Sequence, residues 1–246
     1  MKKLLLLFLF ISIFSFGQNK SNLDYLYPKK DLIIEYQDEW GKNNFKKKIE
    51  EFKKIPLDFG DIIFLGNSIT SGGKDWSKRL NYPNIKNRGI SGDVTDGVLA
   101  RVDEITYFKP KAVFLLIGIN DLYNYSPSIP SAEYVGNNIV KIASIIKKRS
   151  PKTQIFIQTT LPINRINKIG EEKNEKIKKN IEKVNFIVKL NENKNIYKVI
   201  DLYSVFVNDI GLINELLSDD GIHLNEKGYQ VWVEFVKPIV HSLNDN

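Results

Sequence analysis

Ala112-Val113-Phe114-Leu115-Leu116-Ile117 is apolar at every position and ends on Gly118. A strand with one wet face alternates apolar and polar residues, so an unbroken run of this kind reads as a strand covered on both faces. Such strands belong to parallel sheets, whose crossover helices lie on either side. Working outward, four more short apolar runs end on turn residues, at 61–66, 85–90, 154–161 and 196–202. Between and after them, 94–105, 132–148, 171–190 and 226–240 carry apolar residues at helical spacing and charge elsewhere. Strand alternating with helix predicts an α/β fold, a three-layer α/β/α sandwich on a mostly parallel five-stranded sheet. The polar stretch 164–175 reads as a loop that moves.

The chain has 246 residues, 42% of them hydrophobic, enough for one large domain with its own core. Lys2 and Lys3 precede a largely apolar run over 4–16, and small residues Ser15 and Gly17 suit a signal peptidase. This pattern predicts a secretory signal over 1–17 and an exported, periplasmic or extracellular protein. The run is shorter than the roughly 20 residues of a membrane-spanning helix, so no stable membrane anchor is expected after cleavage. Residues 18–57 read as a lead-in and a helix over 39–54, with Trp40, Phe45, Ile49 and Phe52 on one face against the outside of the core; 58–246 is the main domain. The absence of cysteine excludes disulfides and lipid attachment through a cysteine. The formal charge of +7 comes from lysines scattered among asparagines and glutamates. No basic stripe interleaved with aromatics stands out, and no nucleic-acid partner is expected.

In open parallel sheets, ligands bind beyond the carboxyl ends of the strands. The loops that leave the predicted strands contain Ser68, then Ser91-Gly92-Asp93, then Gly118-Ile119-Asn120-Asp121, with Asp219-Asp220-Gly221-Ile222-His223 after the last. A serine hydroxyl becomes a nucleophile only with a base, most often a histidine held by a carboxylate. Of the two histidines, His241 falls at the end of a predicted helix, where a cationic ring favours the dipole. His223 follows Asp220 by three residues, close enough for the carboxylate to reach one ring nitrogen and leave the other to Ser68. Acyl transfer also develops charge on the carbonyl oxygen. The Gly92 amide, the Asn120 side-chain amide and the Ser68 amide are candidate donors to it.

The blocks Gly66-Asn67-Ser68-Ile69-Thr70, Asn87-Arg88-Gly89-Ile90-Ser91-Gly92-Asp93, Gly118-Ile119-Asn120-Asp121 and Asp220-Gly221-Ile222-His223 resemble the four conserved blocks of the SGNH hydrolases, the GDSL-type esterases and lipases. The likeness spans about 61–240. It implies a flavodoxin-like sandwich and ester hydrolysis without metal or organic cofactor. By that resemblance Ser68 is the nucleophile, Asp220 and His223 complete a triad, and Ser68, Gly92 and Asn120 form the oxyanion hole. The family has aspartate before the nucleophile, where this chain has Asn67. The first two blocks are most similar to sialate O-acetylesterases, bacterial carbohydrate acetylesterases and the catalytic subunits of platelet-activating-factor acetylhydrolase. That similarity implies removal of short acyl groups, acetyl above all, from a small-molecule or glycan ester.

Other readings stay open at this level. Within the esterases, a lysophospholipase or longer-chain lipase is the alternative; outside them, an inactive glycan-binding protein of the same fold, or a flavodoxin-type phosphate binder using 67–73. Asp219, Asp220 and His223 carry metal-donor atoms, but no second histidine lies near them in sequence, and no metal is expected. Asn67, Trp76 and Tyr123 are candidate pocket residues, although an aromatic near a strand end is also an ordinary core residue.

Overall fold

The computed structural model describes residues 23–123 and 129–243; the predicted secretory signal lies outside them. Five strands, β1 (Ile62–Gly66), β2 (Ile85–Gly89), β3 (Ala112–Leu116), β4 (Gln154–Gln158) and β5 (Lys198–Ile200), pair in the order β2-β1-β3-β4-β5. Every pairing is parallel. Each residue of β1 and β3 is buried, as two covered faces require. Phe64, Phe114 and Phe156 lie in register across β1, β3 and β4, with centroids 4.8 Å apart at each step. Trp76 stacks on Phe64 at 4.2 Å and Trp232 meets Trp76 edge-on at 4.7 Å.

In chain order, α1 (Glu39–Lys54) precedes β1, and α2 (Ser68–Gly72) and α3 (Trp76–Leu80) lead to β2. Helices α4 (Thr95–Ala100) and α5 (Val102–Phe108) lead to β3, then α6 (Ile119–Tyr123) and α7 (Ala132–Arg149) to β4. Helices α8 (Ile166–Ile169) and α9 (Glu171–Leu190) lead to β5, and α10 (Leu202–Phe206) and α11 (Glu226–Ser242) follow it. Helix α7 packs against α4, α5 and α9, whereas α11 packs against α3 and α10. The sheet is thereby covered on both faces, the α/β/α sandwich read from the sequence.

Two expectations are corrected. The helix expected over 94–105 is two, because Arg101 leaves helical backbone (φ −116°, ψ 18°) as its buried side chain turns inward. The expected mobile loop at 164–175 holds α8 and the first turn of α9, joined at Gly170. Its polar residues bond locally instead of remaining solvated: Arg165 N donates to Asn174 Oδ1 at 2.7 Å.

Beneath β2, Arg88 and Glu104 form a buried ion pair at 2.8 Å, which the Tyr27 hydroxyl joins at 3.1 Å and the Ile55 carbonyl joins from the other side at 2.8 Å. Glu104→Ala strands a guanidinium in the interior, and urea denaturation should show a loss of about 3–5 kcal/mol. A loss below about 1 kcal/mol would mean that water reaches Arg88.

Candidate active site

Each strand end hands the chain to a loop at the same edge of the sheet. After β1, Asn67 caps α2 by accepting a hydrogen bond from Ile69 N at 3.0 Å, which leaves Ser68 as the first helical residue. That position lacks an acceptor one turn back for its amide. Capping needs only an acceptor, which asparagine and aspartate both supply. Asn67 thus supplies the acceptor this turn needs, although its buried Nδ2 finds no acceptor among the described residues. A side chain at Gly89 would lie 2.2 Å from Ser71 N and 2.8 Å from Asn67 O, so the serine loop reaches its place only because β2 ends on glycine.

Ser68 Oγ lies 3.0 Å from His223 Nε2, and His223 Nδ1 lies 2.8 Å from Asp220 Oδ2. The second oxygen of Asp220 accepts from the amides of Ile222 and His223 at 2.9 and 2.8 Å. Burial pushes the Asp220 carboxyl up, but those amides and the His223 ring outweigh it and hold the group below the ordinary carboxylate range. A charged carboxylate on Nδ1 fixes the ring so that Nε2 faces the serine. The loop is braced from below: Ser218 Oγ donates to the His223 carbonyl at 2.6 Å, and Asn164 N donates to the Gly221 carbonyl at 2.8 Å. Tyr229 on α11 donates to the Ile69 carbonyl at 2.7 Å, locking the helix after His223 onto the one that begins at Ser68.

After β2, Gly92 takes φ +81°, a left-handed conformation that suits glycine. After β3, Asn120 donates one Nδ2 hydrogen to the Asp93 carbonyl at 2.9 Å, which holds the amide beside Gly92 and leaves its second hydrogen free to point elsewhere. Asp121 accepts from the Thr95 amide at 3.0 Å and the Thr95 hydroxyl at 2.6 Å, tying this loop to the start of α4.

The pocket candidates fare differently. Trp76 is fully buried in the core, donating to the Thr70 carbonyl at 3.1 Å, and lines no pocket; its place over Phe64 gives it the ordinary core role. Asn67 is buried as the cap just described. Tyr123 is partly exposed, and its hydroxyl accepts from Arg165 Nε at 3.0 Å. Arg165 Nη1 in turn donates to the Asp220 carbonyl at 2.6 Å. Arg165 is thus a brace of the histidine loop, and the polar stretch around it carries no local sign of that contact. His241 bonds the Leu80 carbonyl at 3.0 Å, away from the serine.

The N-terminal segment also reaches this edge, contrary to a role confined to the outside of the core. Gln37 Nε2 donates to Asp93 Oδ1 at 3.0 Å, Asn44 Nδ2 to the Ser91 carbonyl at 2.7 Å, and a Cβ on Gly92 would lie 2.9 Å from Gly41 Cα. Trp40 is 62% exposed and does not share the buried face of Phe45, Ile49 and Phe52. Five residues separate Trp40 from Phe45, which turns an α-helix about 140° away from that face.

Burial pushes the Asp121 carboxyl up to about 7, against the lowering effect of the Thr95 hydroxyl and amide. In the unfolded chain it loses its proton near pH 4, so between about pH 4 and 7 the folded state binds more protons, and this group makes stability fall as pH rises. Asp121→Asn should remove that slope: denaturation at about pH 5 and pH 8 should show the variant gaining on the wild type at the higher pH. Parallel behaviour would place the Asp121 titration outside this range.

Compared with known proteins, residues 64–231 match the model of the GDSL-like lipase/acylhydrolase family. The platelet-activating factor acetylhydrolase IB subunit beta homolog of Drosophila melanogaster is 31% identical over 122 residues, 48% of this chain and 52% of that protein. The chain spans about half the length of the curated relatives it matches. Among solved structures, a GDSL-like lipase from Bacteroides thetaiotaomicron VPI-5482 aligns at TM-score 0.65 and 20% identity, over 81% of this chain and 98% of that one. A carbohydrate esterase family 3 protein from Talaromyces cellulolyticus aligns at TM-score 0.55 and 17% identity, over 76% and 100%. The two structures share the fold; the match over 64–231 carries the kinship, and the chain belongs to the GDSL-like lipase/acylhydrolase family.

Proposed function

We propose that the protein is a serine esterase that removes short acyl groups, acetyl above all, from carbohydrate alcohols through an acyl-enzyme. The observation that carries the reading is the hydrogen-bonded chain Ser68 Oγ, His223 Nε2, His223 Nδ1, Asp220 Oδ2, with steps of 3.0 and 2.8 Å. The ring takes the serine proton as Oγ attacks the ester carbonyl, and Asp220 stabilises the resulting imidazolium. The Ser68 and Gly92 amides and the free Asn120 hydrogen receive the oxyanion. His223 then returns the proton to the leaving alcohol, and water repeats the sequence on the acyl-serine to release the acid.

The choice of acyl group and alcohol rests on kin and fold. The Drosophila relative is named an acetylhydrolase, and the Talaromyces neighbour a carbohydrate esterase. His223 and Asp220 side chains are 51% and 40% exposed, an open setting that suits a bulky alcohol approaching from solvent. The N-terminal pattern at 1–17 supports export, where acetylated glycans are met.

Wild-type protein should hydrolyse p-nitrophenyl acetate faster than the octanoate, and Ser68→Ala should abolish turnover while the circular dichroism spectrum is kept. Asn120→Ala should lower kcat by about 10²–10³, the cost of one oxyanion donor. Turnover retained by Ser68→Ala removes the serine from the mechanism, and a preference for the octanoate makes the protein a longer-chain lipase.

A further inference from the structure

Trp40 has no task in the mechanism above, yet its setting is specific. A Cβ on Gly92 would lie 3.0 Å from Trp40 Cζ3 and 3.2 Å from Cε3, so the indole edge abuts the backbone of the glycine whose amide is the proposed oxyanion donor. The segment that carries it is fastened to the same loop three times, through Gln37 to Asp93, Asn44 to the Ser91 carbonyl, and the backbone approach of Gly41 to Gly92. Asp38 caps the start of α1 by accepting from Gly41 N at 2.7 Å, which sets the direction of the first turn. Despite these restraints the residue is 62% exposed, whereas Trp76 and Trp232 are completely buried. Among the described residues no other aromatic ring or cation packs on it.

Leaving a large apolar ring in water is unfavourable, and a rigidly mounted one beside a reacting centre offers binding area at small entropic cost. Resting on the proposed esterase reading, we infer that Trp40 is a specificity residue: a stacking platform for the sugar ring that bears the ester. The face of an indole is the negative side of its quadrupole and attracts the polarised C–H groups on one face of a pyranose. An acyl chain is a poorer occupant. A flexible chain gains most from enclosure on several sides, and Trp40 stands open on the rim. A ring lying flat on the indole would set its acetyl carbonyl over Gly92 and Ser68, with the rest of the glycan running out into solvent.

Two measurements test this. The first compares kcat/KM for acetylated xylotriose with that for ethyl acetate, which has no ring. Trp40→Ala should lower the ratio of the two by about 5- to 10-fold, chiefly through KM for the sugar, as expected for one ring contact, and Trp40→Phe should recover part of it. An equal loss on both esters overturns the platform and makes Trp40 a support for the Gly92 loop. The second uses Ser68→Ala, which leaves the ester uncut. Adding acetylated xylotriose should shift the emission of the sole exposed tryptophan and protect it from acrylamide, and Ser68→Ala/Trp40→Phe should show neither response. No response in Ser68→Ala overturns the platform whatever the turnover results. If the wild type cleaves neither ester, the hydrolase reading fails separately, while the emission titration still decides whether the sugar binds.

Discussion

The buried pair of Arg101 and Asp93 is the contact on which the geometry of the site rests. Arg101 Nε meets Asp93 Oδ2 at 2.9 Å, and Arg101 Nη2 donates to the Gly66 carbonyl at 3.0 Å, the last residue of β1. Asp93 Oδ1 accepts from Gln37 and from the Val94 amide, and the Asp93 carbonyl accepts from Asn120. One ion pair therefore connects the serine loop, the Gly92 loop, the Asn120 loop and the N-terminal segment. Desolvating two charges is expensive, and such a pair is weak evidence for stability as such. Its value here is positional: three strand ends separated by up to two sheet spacings are held in one register, while the fourth loop, with His223, is held separately by Tyr229 and Arg165.

Much of the fold was legible because long elements declare their period. Helices α1, α7, α9 and α11 start where the apolar spacing starts, and the five strands fall inside the five apolar runs. What could not be read is short. Helices α2, α3, α6, α8 and α10 have four or five residues each, little more than one turn, so no amphipathic period can develop in them. Side chains cap two of them, Asn67 for α2 and Asp75 for α3, whereas α8 and α10 begin without a side-chain cap and are set by their surroundings.

The site divides along the same line. Ser68, Gly92 and Asn120 stand out because small or polar residues follow apolar runs, and Asp220 and His223 because a carboxylate three residues before a histidine can reach its ring; the structure joins Ser68, His223 and Asp220 directly and sets Asn120 against the Gly92 loop. Arg165 and Trp40 do not stand out. Each acts by a contact with a residue at least fifty positions away in sequence, Arg165 with Asp220 and Trp40 with Gly92, and no local pattern marks such a contact. Trp76 shows the opposite error: an aromatic close in sequence to the serine is turned by its neighbours into the core, where Phe64 and Trp232 enclose it.

The proposed ester cleavage requires Ser68 to be a nucleophile activated by His223, and covalent capture examines that point directly. Protein treated with a fluorophosphonate and digested should carry the phosphonyl group on the peptide containing Ser68, and His223→Ala should slow that labelling sharply while the fold is kept. Labelling confined to another residue, or a Ser68 that stays unmodified while the folded protein is exposed to excess reagent, would contradict it.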